Sequence, residues 1–103
     1  DKITHFDAKN FKTQFACEVK NFNPTDFLDR KEARKLDKFS QYAVVVANEA
    51  VESSGLEIET LNPDRAGVIW GSGIGGMCTF FSESVNFGTG NGIPRFNPFF
   101  IFT

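Results

Sequence analysis

Residues 66–77, AGVIWGSGIGGM, constrain the fold of this chain more than any other stretch. An apolar run of Ala66, Val68, Ile69 and Trp70 stops at Gly71, Gly73, Gly75 and Gly76, and a helix-compatible segment follows. That order reads as strand, tight turn, helix. Glycine serves where a backbone takes positive φ or where another element comes close, so four glycines in six positions predict a crowded, buried crossing near a site. The spacing Gly71, Gly73, Gly76 also matches G-x-G-x-x-G, the dinucleotide-binding fingerprint. In such folds the turn belongs to the first βα unit, and an acidic residue about twenty positions later holds a ribose hydroxyl. Here the turn follows a long helical pattern, and the corresponding region carries Arg95 and no acid. Context favours close packing over phosphate binding.

The helical pattern upstream is the best-defined element. Asp29 and Glu32 have the spacing of an acidic capping box. Leu36, Ser40, Ala43, Val44, Ala47, Ala50 and Val51 then share one stripe, and Gly55 supplies a left-handed stop. One helix is predicted over residues 30–54, and Val45 and Val46 widen its apolar zone so that it is expected to be buried on more than one side. Its first two turns break a local rule, because Arg30, Lys31, Arg34, Lys35 and Lys38 place five of the chain's eleven basic residues at a helix N-terminus. The pairs Arg30/Arg34, Lys31/Lys35 and Arg34/Lys38 are also like-charged at i,i+4. Asp29, Glu32 and Asp37 reduce the segment to +2, which leaves an ordinary solvated face as one reading. A docking patch for an acidic partner is the favoured one.

Elsewhere the sequence punctuates short elements. Residues 1–28 read as loops and extended pieces, with a short strand over 15–19 and a turn at Asn23-Pro24. Phe6, Phe11, Phe15, Phe22 and Phe27 are expected as buried anchors, and His5 as a surface histidine. Asn62-Pro63-Asp64 is a turn, Met77, Phe80, Phe81 and Val85 have helical spacing over 77–86, and residues 88–92 (GTGNG) read as a loop. With 103 residues the chain has the size of one small domain or part of one. A net charge of −2 argues against a general nucleic-acid binder, and no apolar run reaches the roughly twenty residues that span a bilayer. Cys17 and Cys78 are widely spaced and expected as plain buried thiols in a cytoplasmic setting, with no metal-ligand pattern and no cofactor implied. Ser72 has no base near it in sequence, so no catalytic residue emerges. The first residue, Asp1, and the terminal apolar run of Phe99, Phe100, Ile101 and Phe102 lead to the expectation of a piece of a longer protein.

Taken together, D-R-K-E-A-R-K-L-D-K-F at 29–39, S-G-L-E-I at 54–58, G-V-I-W-G-S-G-I-G-G at 67–76 and P-R-F-N-P-F-F-I at 94–101 resemble the bacterial β-ketoacyl-(acyl-carrier-protein) synthase II family. T-H-F-D at 4–7 and F-A-C-E-V-K-N-F-N at 15–23 fit the same family, so the resemblance covers essentially the whole chain. It implies an α/β, thiolase-like fold, with one long buried helix and a central strand before the Gly-rich turn and a short helix. Residues 1–103 would form part of the N-terminal half of the synthase domain. The resemblance further implies a homodimeric parent, an acyltransferase that elongates acyl chains by decarboxylative Claisen condensation with malonyl-carrier protein in fatty acid biosynthesis. In the family a Cys and two His do that chemistry, and Cys17, Cys78 and His5 match none of them, so this portion is expected to be inactive alone. What carries over is binding: Lys31, Arg34, Lys35 and Arg95 resemble the residues that meet acyl carrier protein, and Ile74 and Phe100 resemble acyl-pocket residues. Phe96 stands where relatives often keep a second basic residue. The alternatives are a non-catalytic ketosynthase-like chain-length factor, a nucleotide-binding oxidoreductase fragment, and a bare interaction module acting through the basic helix.

Overall fold

The structure is a computed structural model in which residues 1–90 and 93–98 are described. A 3-10 turn, Pro24–Asp26, leads into α1 (Arg30–Ala33) and α2 (Lys38–Ser54); further 3-10 turns at Ile58–Thr60 and Pro63–Arg65 precede α3 (Met77–Thr89).

The single helix predicted over residues 30–54 is two helices with a break between them. Asp37 leaves the helical region (φ −65°, ψ 158°) and caps α2, its Oδ1 accepting from the Phe39 N–H at 3.0 Å. A helix end leaves backbone carbonyls without intrahelical donors. Buried Gln41 meets one of these and one from the turn: its Nε2 donates to the carbonyls of Ala33, the last residue of α1, at 2.7 Å and of Leu36 at 3.1 Å. Asp29 does cap α1, but its carboxylate accepts from the Lys31 N–H at 3.0 Å, one residue short of the expected capping-box bond. Arg34 and Lys35 therefore lie in the turn after α1, and Lys38 opens α2. The break divides the like-charged row that a continuous helix would have aligned. At the far end Gly55 takes φ 68° and stops α2 as predicted.

The expected α/β architecture is not what the chain adopts. Among the described residues there is no named strand, and the only β-pairing is one antiparallel bridge between Lys2 and Phe15. The predicted central strand, residues 66–70, has no regular secondary structure and makes no backbone hydrogen bond to another described residue. Alternating or apolar sequence selects the conformation, but a strand exists only through a partner that supplies donors and acceptors. The helix expected to be buried is also largely open: α2 buries only Gln41 and Val45.

Little of the chain is deeply packed. Among the described residues, the buried hydrophobic side chains are those of Ala8, Ala33 and Val45. A compact monomer of this mass would expose roughly 5,800 Å², and this chain exposes 8858 Å². Its radius of gyration, 17.5 Å, likewise exceeds the roughly 13 Å of a compact domain of this length. Phe6, Phe11, Phe15 and Phe27, expected as buried anchors, are each more than half exposed. They pair locally instead: Phe6 meets Phe11 edge-on at 5.5 Å, and Phe22 stacks on Phe27 at 6.0 Å while its ring meets Tyr42 of α2 at 4.7 Å.

One carboxylate fastens the N-terminal arm. Glu18 Oε1 accepts from the backbone N–H groups of Thr4 at 2.9 Å and His5 at 3.2 Å, and Oε2 accepts from the Thr4 hydroxyl at 2.6 Å. The Thr4 hydroxyl and N–H hold the Glu18 carboxyl down at about 2, below its ordinary 4.5. Because the folded value is the lower one, the clasp contributes fully above about pH 4.5 and is lost as pH falls toward 2. Hydrogen exchange at Thr4 and His5 should therefore accelerate through that window beyond the intrinsic pH dependence, and Glu18→Gln should abolish the extra step. A second test addresses the helix break. Asp37→Ala should destabilise the chain by about 1–2 kcal/mol through the lost cap, whereas Asn at this position retains most of it, as read by urea unfolding.

Candidate functional site

The glycine turn is built onto the start of α2. Gly76 is buried, takes φ 66° and forms the N-cap of α3. Gly75 lies against Phe39: a Cβ there would come within 3.0 Å of the ring's Cδ1 and Cε1. Two residues into α3, Thr79 donates its hydroxyl to Asp37 Oδ2, the oxygen not used for capping. The crowding predicted for all four glycines is thus real at Gly75, and positive φ is needed at Gly76. Gly71 and Gly73 have nothing within 4 Å of a built Cβ. Ile74, between Gly73 and Gly75, is 70% exposed. Phe100, the other acyl-pocket residue of the resemblance, lies outside the described residues.

The cations fall on two elements. Lys31 on α1 and Arg34 and Lys35 in the turn after it are all exposed, held at one place by the Gln41 bonds beneath them. Arg95 stands beside α3. It lines a groove of about 330 Å³ against the last turns of α3, with Glu83, Asn86, Phe87 and Phe96. Phe87 and Phe96 stack there at 5.4 Å, and Glu83 accepts from the Asn97 N–H at 3.0 Å, which fixes the segment to α3.

Two apolar grooves flank α2. One, of about 440 Å³, runs between Ala43, Ala47 and Val51 of α2 and Val68 and Ile69. The other, of about 300 Å³, lies among Phe22, Phe27, Tyr42, Val45 and Trp70. Both cysteines, expected to be buried, are exposed. His5 is turned toward Glu18, its Nδ1 4.0 Å from Oε1. Among the described residues no group of three or more His, Cys, Asp or Glu side chains could hold a metal ion, and no helix is long and apolar enough to cross a membrane.

Asp37, Phe39, Gln41 and Thr79 organise this region; in the sequence Asp37 enters only as a charge that offsets the basic run, and the other three have no assigned role. Asp37 had a signal, since an Asp directly before a periodic run is a helix-start residue. Thr79 had none, because its partner lies 42 positions away.

The chain belongs to the β-ketoacyl synthases: the model of that family's N-terminal domain matches residues 2–98. More particularly, it is similar to 3-oxoacyl-[acyl-carrier-protein] synthase 2 of Staphylococcus aureus, at 46% identity over 101 residues, which is 98% of this chain and 25% of that protein. The protein of the same name from Vibrio harveyi is 51% identical over 75 residues, 73% of this chain and 18% of its own length. The chain spans about a quarter of the length of the Staphylococcus relative.

The geometry separates the glycines by role. Gly76→Ala should destabilise by about 1–2 kcal/mol, the cost of placing a Cβ at left-handed φ. Gly71→Ala should stay within about 0.5 kcal/mol. Equal urea midpoints for the two variants would contradict this assignment.

Proposed function

We propose that this chain is a portion of a 3-oxoacyl-(acyl-carrier-protein) synthase II. The parent is an acyltransferase that extends fatty acyl chains by decarboxylative Claisen condensation with malonyl-carrier protein. The observation that carries this reading is the 46% identity over 101 residues to a protein of that name. Condensation needs a thiolate to take the acyl group and donors for the enolate left when carbon dioxide departs. Cys17 and Cys78 are both exposed, and the chain's one histidine is engaged with Glu18. Neither thiol is assigned the nucleophile, and this portion alone carries out no condensation. Its contribution is binding.

Acyl carrier protein is the proposed partner, met by Lys31, Arg34, Lys35 and Arg95. The exposure of the first three at one turn supports the reading, because an acidic partner gains most from cations that it can reach without displacing packed side chains. Ile74 and Phe100 are proposed to line the acyl pocket, and the full-length parent is proposed to work as a homodimer. No cofactor is assigned.

Titration with acyl carrier protein tests the docking role. Lys31→Glu/Arg34→Glu/Lys35→Glu should weaken binding by about thirtyfold or more at low salt, and wild-type affinity should fall as ionic strength rises. Unchanged affinity in a variant with wild-type circular dichroism would remove these residues from the interface.

A further inference from the structure

We infer that Phe39 is a positioning residue that sets where Ile74 stands, and through it which acyl chain lengths the site accepts. This rests on the acyl-pocket role proposed for Ile74. Phe39 is half-buried, and its ring sits between the two ends of the segment that carries Ile74. On the upstream side the Trp70 indole lies with its centroid 6.1 Å away at an interplanar angle of 47°. On the downstream side Gly75 rests on the ring edge so closely that a Cβ would lie 3.0 Å from two ring carbons and 3.2 Å from a third. The same turn of α2 grips the segment a third time, since Asp37 caps the Phe39 N–H with one oxygen and accepts from Thr79 with the other.

Residues 37–39 thus meet the chain before Ile74 at Trp70 and after it at Gly75 and Thr79, while residues 66–74 make no backbone hydrogen bond to another described residue. Ile74 itself is 70% exposed and contributes little anchoring of its own. Its position is inherited from the backbone of the turn. Van der Waals contact is steep at this separation, so ring volume at position 39 decides how far the turn stands off α2. The basic turn at Arg34 and Lys35 is held by a different device, the Gln41 amide. Changes at Phe39 should therefore alter chain-length choice and leave carrier-protein affinity intact.

The test uses the full-length synthase carrying this region, assayed with a short and a long acyl-carrier-protein primer, together with carrier-protein titration. Phe39→Leu should change the ratio of kcat/KM for the two primers by about fivefold, the scale on which a pocket registers small changes of shape. Carrier-protein Kd should remain within about twofold. Thr79→Val, which loosens the same clamp from α3, should shift the ratio in the same direction and serves if Phe39→Leu does not fold. Ile74→Phe reports on the pocket itself. A changed ratio for Ile74→Phe with an equal loss for both primers in Phe39→Leu and Thr79→Val would overturn the role of Phe39 and leave the pocket standing. No change of ratio for Ile74→Phe would remove Ile74 from the pocket, and the inference with it.

Discussion

Both oxygens of the Asp37 carboxylate are committed, and the arrangement of the helices depends on how they are divided. One accepts from the first turn of α2, which gives that helix its start and fixes the break after α1. The other accepts from Thr79 and brings α3 to the same place. A charge-assisted hydrogen bond is stronger than a neutral one, and here it spans 42 residues where little apolar burial is available to do the same. Phe39, Gly75 and Trp70 then assemble around a point that the carboxylate has already defined.

The parts of the fold legible in the sequence were those encoded locally. Gly55 as a left-handed stop, the Asn-Pro turns, and a helix beginning at Met77 all follow from residue chemistry within a few positions. The errors share one origin, which is that the partner of each group lies elsewhere. Val68, Ile69 and Trp70 have the composition of a strand, yet pairing depends on a neighbouring backbone that no local pattern reports. Large rings are usually buried, which is why the Phe residues of the N-terminal arm look like core in the sequence, while the described residues bury few side chains of any kind. The helix break was visible in principle at Asp37, but the apolar stripe running through Leu36 and Ser40 masked it.

For the candidate site, sequence reading located the cations and the glycine turn without their geometry. Lys31, Arg34 and Lys35 are exposed, and because α1 has four residues and is followed by a turn, they do not crowd the N-terminus of one long helix. Arg95 proves to share its surroundings with α3 and a stacked pair of rings, an environment set by Glu83 and Asn97 that spacing alone does not reveal.

The break between α1 and α2 has a consequence for how such a surface can change over time. The basic side chains project from α1 and the turn after it, and the Gln41 amide that ties Ala33 and Leu36 together there carries no charge. Charge at outward-facing positions such as Lys31 and Arg34 can then be exchanged with little effect on the packing underneath, because exposed substitutions away from caps and cores cost little. Surface charge and structural integrity become nearly independent traits on this face of the molecule. A lineage can drift toward a different surface charge without first acquiring stability to spare.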